Sequence, residues 1–508
     1  MRVLLKYFVW LLSLVSLMVY YLLGTALGHL TIASLSEEYL SQKMNNKIEI
    51  ERLYLNNYPY IESQLKINES ATLWLKGEFD FDDLQMQYHL KGETFQWHKV
   101  SMPYPINLKG TLQGTASSLK IQGEGSAFDG NTSYSFIRTP KRLENVRLNL
   151  DDVNATQLLT FLNYKTLLVG KMNMAMKFDY YTPYQKRGSS IVKMEKALLP
   201  DVSSVLPFSF DATILFDDLV HQFNADFSSE VGKLRFANGY YNKSARLLTA
   251  DYGLQIKELA YFQELTKHKF TGLFNTAGNL KYETNQLVVK GDTTHLEGLV
   301  EYTYQNDLIE FKFQAVALEK ILQQLAFPAL LSARVDGTAS YNLKEEIVLV
   351  NTKLKKTRFR RTKMVDMIYQ YTGIDILKDE YNDSVFTAAY EDSILTSYLR
   401  IDNGINHLYL NDTRMNAKTN GVSSDFEVKL DGQKFFGEIY GTLENPKVNL
   451  DMSKLIKYQL NKKIENFFGQ GKPLNRKNTK EKLDDIKNDL KIDKIKQKTR
   501  KYLDGFFD

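Results

Sequence analysis

The stretch Phe208-Ser-Phe-Asp-Ala-Thr-Ile-Leu-Phe-Asp217, followed a few residues on by Phe223-Asn-Ala-Asp-Phe227, decides the fold class. Its apolar members Phe208, Phe210, Ala212, Ile214 and Phe216, then Phe223, Ala225 and Phe227, recur at every second position. Successive side chains of a β-strand point to opposite faces, so this spacing collects the aromatics on one face; a helix would scatter them. The stretch therefore predicts two neighbouring strands that share an apolar face.

The same alternation extends in both directions. It begins at Lys47-Ile-Glu-Ile-Glu-Arg-Leu53 and returns in Leu73 and Leu75, in Leu84, Met86, Tyr88 and Leu90, in Ile309, Phe311, Phe313 and Ala315, and in Phe426, Val428 and Leu430. The pairs Lys109-Gly110, Gln122-Gly123, Asn238-Gly239, Asn403-Gly404 and Asp431-Gly432 are read as hairpin turns between such strands. At roughly 15 residues per strand and turn, four hundred residues make about 27 strands. Aromatic residues are 12% of the chain, from Tyr and Phe far more than Trp, and Pro is sparse, as strands favour.

Three segments break the alternation with helical spacing: Thr156 to Leu168, Lys257 to Lys267 and Val316 to Phe327, the last with Leu318, Ile321, Leu322 and Leu325 at i, i+3, i+4 and i+7. Each is followed by a glycine read as reopening a strand, Gly170, Gly272 and Gly337. The three are read as a divergent internal repeat of several strands and one short amphipathic helix.

At the N-terminus no Asp, Glu, Lys or Arg occurs from Tyr7 to Ser36. A run of this length crosses a hydrocarbon core of about 30 Å, so 7-32 reads as a transmembrane signal anchor. Arg2 and Lys6 precede the run and Glu37 and Glu38 follow it, which keeps residues 1-6 cytoplasmic and sends the rest outside. The competing reading is a cleaved signal peptide, with Gly24 and Ala26 at the cleavage site. Gly24 and Gly28 also form a GxxxG pair of the kind that lets helices approach. A short polar helix is expected over Leu35 to Met44, ending near Asn45 and Asn46.

With no Cys, the chain has neither disulfides nor thiolate chemistry, and a net charge of +5 over 508 residues is no nucleic-acid signature. So long a sheet needs its apolar face covered by a second sheet, closed as a barrel, packed with helices, or left as a groove for an apolar ligand. The helical segments are too few, and an uncleaved anchor argues against an outer-membrane barrel. Sandwich domains or an open, curled groove remain.

The run Glu438-Ile-Tyr-Gly441-Thr-Leu-Glu-Asn-Pro446-Lys-Val-Asn-Leu450 resembles the G-T-L-x-x-P-x-V ending of AsmA-like envelope proteins, and the layout of anchor, strand blocks and helices is similar to theirs. The resemblance to AsmA and its larger relative TamB implies a mostly β fold: an elongated, curled antiparallel sheet, or β-groove, of the bridge-like lipid-transfer kind over 33-450. It implies an inner-membrane anchor, a periplasmic location, and phospholipid movement toward the outer membrane or support of its assembly. Residues 451-508 are expected to form an amphipathic helical tail, carrying Leu483, Ile486, Leu490 and Ile495 among lysines and aspartates.

The groove-lining candidates are Phe208, Phe210, Ile214, Phe216, Phe223, Ile309, Phe311 and Phe313, which sequence equally allows as ordinary core. Phospholipids and the inner membrane are the expected partners, with the outer membrane or its assembly proteins beyond them, and neither nucleic acid nor cofactor is expected. No HExxH motif occurs, the seven histidines are scattered, and Asp80, Asp82, Asp83, Asp217 and Asp218 read as turn residues rather than a carboxylate pair. The basic run Lys355, Lys356, Arg358, Arg360, Arg361 and Lys363 reads as a headgroup-attracting patch or a solvated strand edge. The expectation is a lipid conduit without enzymatic activity; the alternative is a structural or chaperone-like factor for outer-membrane protein assembly that binds through strand edges.

Overall fold

The computed structural model describes residues 2–450 apart from 81–82, 98–99, 165–167, 200–206, 264–268, 328, 362–364, 367–368, 370–373, 431 and 443–445. The expected tail, 451–508, lies outside the described residues. The chain divides into two compact units, Met1–Leu254 and Gln255–Asp508.

The fold is mostly β. Among the described residues there are 28 strands, of which 26 belong to one antiparallel sheet, and Phe95–Trp97 and Val100–Met102 form a separate hairpin. Among the described residues the first strand, Ile48–Asn57, pairs only with Tyr60–Ile67 and the last, Pro446–Leu450, only with Gln433–Thr442, so the sheet is not a closed barrel. The alternation decides the register, since a slip of one residue would turn every apolar side chain to the opposite face. In the first unit one row of opposed residues runs Ile50, Leu65, Leu73, Leu90, Leu108, Gly125, Thr132, Leu150, Met174, Val192, Ala212, Ala225, Phe236. In the second unit a row runs Leu280, Val289, Tyr304, Ile309, Tyr341, Val348, Tyr390, Leu395, Met415, Val422.

Turns depart from the glycine reading. Gly110, Gly123 and Gly239 lie inside strands, whereas Gly404 and Gly432, with φ of 86° and 81°, do sit in turns. The two-residue hairpins at Phe128-Asp129, Thr284-Asn285, Asn306-Asp307 and Asp392-Ser393 instead place both central residues at positive φ. This is the turn hand that matches strand twist, and Asn and Asp tolerate it through local hydrogen bonding.

Two of the helical breaks are shorter than their periodicity predicts, Ala155–Phe161 and Leu318–Gln324; the third holds a 3-10 turn at Leu259–Phe262, and its residues 264–267 lie outside the described residues. Gly337 does not reopen its strand, which begins at Leu331. Two of the breaks share a construction in detail. The left-handed residues Asp152 and Ala315 each bulge from a strand end and give their N–H to Asn173 Oδ1 (2.8 Å) and Asp336 Oδ1 (2.9 Å). Their carbonyls accept from Lys171 Nζ (3.0 Å) and Arg334 Nη1 (3.4 Å), which also reach the carbonyls of Asp129 and Glu297. The next residues, Val153 and Val316, are completely buried. The helices that follow end alike, Tyr164 N to Leu159 O and Phe327 N to Leu322 O, beside left-handed Asn163 and Ala326. The bulge, the basic side chain, the helix closure and the side-chain acceptor recur 163 positions later (152 to 315, 171 to 334, 164 to 327, 173 to 336), although the Asn154 side-chain cap has no counterpart at Ala317. Around them sit the buried clusters: Leu150, Val153, Leu158, Met172 and Met194 in the first unit, Val300, Val316, Val335 and Leu354 in the second.

The N-terminal segment is not one straight helix. Arg2–Gly24 stops at Thr25, and Ala26–Met44 leaves at 82°. Among the described residues no single helix is long and apolar enough to cross a membrane; this bent pair passes that test only together. The second helix begins well before Leu35 and ends, as predicted, at Asn45 in the left-handed region. It covers the edge of the first strand: Glu37 Oε1 accepts from Ile50 N (2.5 Å) and Ser41 Oγ from Ile48 N (3.0 Å), which supplies the partners an edge strand lacks.

Candidate functional site: the apolar face

Each sheet unit has two chemically distinct faces. On one, Lys193, Asp211, Asp226 and Arg235 stand opposite one another on four strands, with ion pairs of 3.1 Å (Lys193–Asp211) and 3.7 Å (Arg235–Asp226). Lys109–Glu124 (3.2 Å) and, in the second unit, Lys312–Glu301 (3.5 Å) continue the pattern. These pairs are exposed and each contributes at most about 1 kcal/mol, so this face is a solvated surface. The open concavities of about 660 and 640 Å³ are lined mainly by side chains of this charged face, such as Lys312, Thr338 and Asn351, or Lys76, His89 and Lys109.

The opposite face carries the candidate residues. Phe210 stands opposite Phe227, Ile214 opposite Phe223, and Phe216 opposite His221. The rings meet: Phe210–Phe227 at 4.7 Å, Phe208–Phe227 at 6.1 Å, Phe227–Phe236 at 6.2 Å and Phe178–Phe216 at 5.4 Å between centroids. In the second unit Phe311 lies 6.3 Å from Tyr302 and 6.4 Å from Phe313, and Ile309 shares their face. All eight candidates are half-buried, neither sealed like Val153 nor open like the charged rows. Phe208 and Phe210 pack against the first buried cluster, and Phe311 and Phe313 against the second, so the face is continuous with the core at one end of the strands and uncovered along their middles.

Sequence reasoning missed two features of this face. The first is a floor of glycines. Gly110 and Gly123 stand opposite each other, and Tyr88 and Tyr134 lean over them from the flanking strands until their hydroxyls hydrogen-bond to one another. Burial pushes the pKa of both phenols up, so they remain neutral. In the second unit Gly278 and Gly291 face each other, and Tyr302 beside them bonds Thr276 Oγ1 (2.9 Å). Phe223 likewise lies across Gly239, 2.6 Å from where a Cβ would stand. The signal was available: Gly110 falls between Leu108 and Leu112 at the apolar phase of the alternation.

The second feature is His221, on the apolar face 4.9 Å from Phe216 and 5.9 Å from Tyr241; burial holds its pKa below the ordinary value, which favours the uncharged ring. Beside it Lys186 Nζ sits 4.4 Å from the Phe216 ring centroid, and burial, then the neighbouring Lys243 charge, lowers its pKa.

The other sequence candidates are engaged elsewhere. His89 stacks on Trp74 (5.0 Å) and meets Asn107 (2.7 Å) on the charged face; Asp217 pairs with Arg187 (2.8 Å) and Asp218 accepts the Tyr180 hydroxyl, both at a turn. Of the basic run, Lys355 pairs with Asp336 (2.9 Å), Arg358 with Glu380 (2.8 Å) and Arg361 with Asp366 (3.2 Å), so half of it is neutralised in place; Lys363 lies outside the described residues. Gly24 and Gly28 serve the chain's own elbow, since a Cβ on Gly28 would overlap the Tyr21 carbonyl oxygen. Among the described residues no three His, Asp or Glu side chains converge as metal ligands.

No family model matches the chain, and no curated protein or solved structure matches it either.

Proposed function

We propose that this protein is a lipid conduit of the AsmA-like kind: a curled β-groove, anchored in the inner membrane by its N-terminal segment and reaching into the periplasm, along which phospholipid moves toward the outer membrane. The observation that carries the reading is the continuity of the apolar rows, strand after strand within each unit, opposite a charged and solvated face and with only short helices at the strand ends. Acyl chains need such a surface and headgroups need water beside it. Each buried CH2 contributes about 0.8 kcal/mol, so rows of similar side chains offer a lipid a series of nearly equal positions. Lys186, next to Phe216 and the apolar row, supplies a cation where a phosphate would emerge. No catalytic step is assigned. An assembly factor that captures partner strands is favoured less, because the first strand's edge is already occupied by Glu37 and Ser41.

The test is photo-crosslinking of the full chain in a Gram-negative envelope, with p-benzoylphenylalanine placed at Phe210 or Phe311 and, as controls, at Asp211 or Lys312. Phospholipid adducts at the first pair and not at the second, reduced when Ile214→Asp accompanies Phe210 or Ile309→Asp accompanies Phe311, is the expected outcome. Equal labelling of both faces, or none, sinks the conduit.

A further inference from the structure

The elbow at Thr25 is built, not frayed. Thr25 Oγ1 donates to Tyr21 O (2.6 Å) and accepts from Gly28 N (3.0 Å), and His29 Nε2 donates to Leu23 O (2.8 Å). Two carbonyls and one N–H that a helix break would leave open are thus satisfied by side chains. Gly28 has no side chain where the second helix crosses the Tyr21–Leu22 backbone, and His29 and Ala33 are buried on the inner side.

The outer side of the second helix is different. Leu27, Leu30 and Leu35 are each 66% exposed and Tyr39 is 60% exposed, and no charge precedes Glu37 in this helix. The hydroxyl of Thr31, on the same side, is satisfied within the helix by Leu27 O (2.9 Å). From Ala26 to Leu35 this surface extends about 14 Å. It is joined without a linker to the uncharged run that begins at Tyr7, and it turns away from it by 82°.

From this geometry we infer that residues 26–39 form an interfacial helix lying in the plane of the membrane surface, with the Leu27, Leu30, Leu35 and Tyr39 side inserted at the boundary of headgroups and acyl chains. The inference rests on the anchor reading given above. An arm near the bilayer normal followed by an arm at a right angle to it puts the second arm parallel to the surface. A row of leucines closed by a tyrosine is the chemistry that such a boundary accepts. The bilayer is the occupant because the face is covalently continuous with the proposed membrane segment. The consequence is positional: Glu37 and Ser41, on the next turns of the same helix, hold the first strand, so the apolar row starting at Ile50 begins close to the membrane surface.

The chain has no cysteine, so single labels are unambiguous. The full chain, reconstituted in vesicles of phosphatidylethanolamine and phosphatidylglycerol, carries a nitroxide at Leu17→Cys, Leu30→Cys, Leu35→Cys or Glu38→Cys, and collision rates with oxygen and with a water-soluble nickel chelate are compared. The expected order is Leu17 deepest, Leu30 and Leu35 at the boundary with oxygen-to-nickel ratios several-fold above that of Glu38, and Glu38 in water. Gly28→Leu, which blocks the elbow, shifts the Leu30 label away from boundary depth. Leu30 and Leu35 as wet as Glu38, with Leu17 buried, overturns the interfacial helix and leaves the anchor standing. Leu30 as deep as Leu17 also overturns it, in favour of a spanning or re-entrant arm. A wet Leu17 removes the anchor and the inference together.

Discussion

Asp336 offers the sharpest quantitative test, because its counterpart Asn173 does the same work without a charge. Asp336→Ala removes the acceptor of the Ala315 N–H, which the bulge has withdrawn from the strand ladder. A buried donor left unpaired costs about 1–3 kcal/mol, and Ala315 is exposed enough for water to replace part of the bond, which places the loss at about 1–2 kcal/mol. The ion pair with Lys355 is solvent-exposed and adds little. In hydrogen exchange the Ala315 amide should therefore lose protection by about 5- to 30-fold. Asp336→Asn, which keeps an oxygen in place, should lose much less. The Ala315 N–H, with Lys355 adding to it, holds the Asp336 carboxyl below its usual range. A depressed folded pKa means that the stabilisation is complete above the unfolded value near 3.9 and is lost as pH falls through the folded one. Protection at Ala315, corrected for intrinsic exchange, should thus decline below about pH 4, while protection of the Asp152 amide under Asn173 should not. Equal losses in Asp336→Ala and Asp336→Asn, or the same pH response at both amides, would refute the argument that the acceptor oxygen is what matters.

Val153→Ala and Val316→Ala each delete buried methyl groups at equivalent places and should each destabilise their unit by about 2–3 kcal/mol, read as matching shifts in local exchange around the two helices. Gly123→Ala should be far more disruptive than Tyr134→Phe, because a Cβ there overlaps the Tyr88 hydroxyl whereas the Phe only loses one hydrogen bond; thermal unfolding ranks the two, and the opposite ranking would dismiss the glycine floor. Ile214→Asp places a charge on the uncovered face beside Phe223 and should lower phospholipid recovered with the chain while leaving its circular dichroism unchanged; unchanged lipid content counts against the conduit.

Much of the fold could be read from the chain because a period of two is a direct consequence of strand geometry. Phe208 to Phe216 and Ile309 to Phe313 lie on the faces that their spacing assigns, and three segments with helical spacing did become helical turns. The first and third are shorter than predicted because Leu168 and Phe327 continue an apolar pattern beyond the last helical residues, Phe161 and Gln324. Turn positions were the weakest reading: glycine was taken as punctuation at Gly110, Gly123 and Gly239, where it makes room for an aromatic ring, while hairpins were closed by Asn and Asp. The elbow at Thr25 was hidden because hydropathy carries no directional information, and the close helix approach that Gly28 allows is to the preceding helix of its own chain. The bracket of Lys171, Asn173 and Asp152 depends on partners about twenty residues apart, and only coordinates bring them together.

The bracket also constrains how such a chain changes length. From the strand ending at Asn154 to the strand ending at Ala317 there are ten steps along the sequence. In a meander each added strand reverses the direction of all that follow, so a single insertion turns over the apolar face of the strands after it relative to those before it. Growth is thereby quantised by parity: strands enter or leave as hairpins, each adding about 9.6 Å of sheet and preserving which side is greasy. A shorter or longer relative should differ by an even number of strands between successive helices, and the tolerance of this architecture to duplication follows from that arithmetic rather than from any one residue.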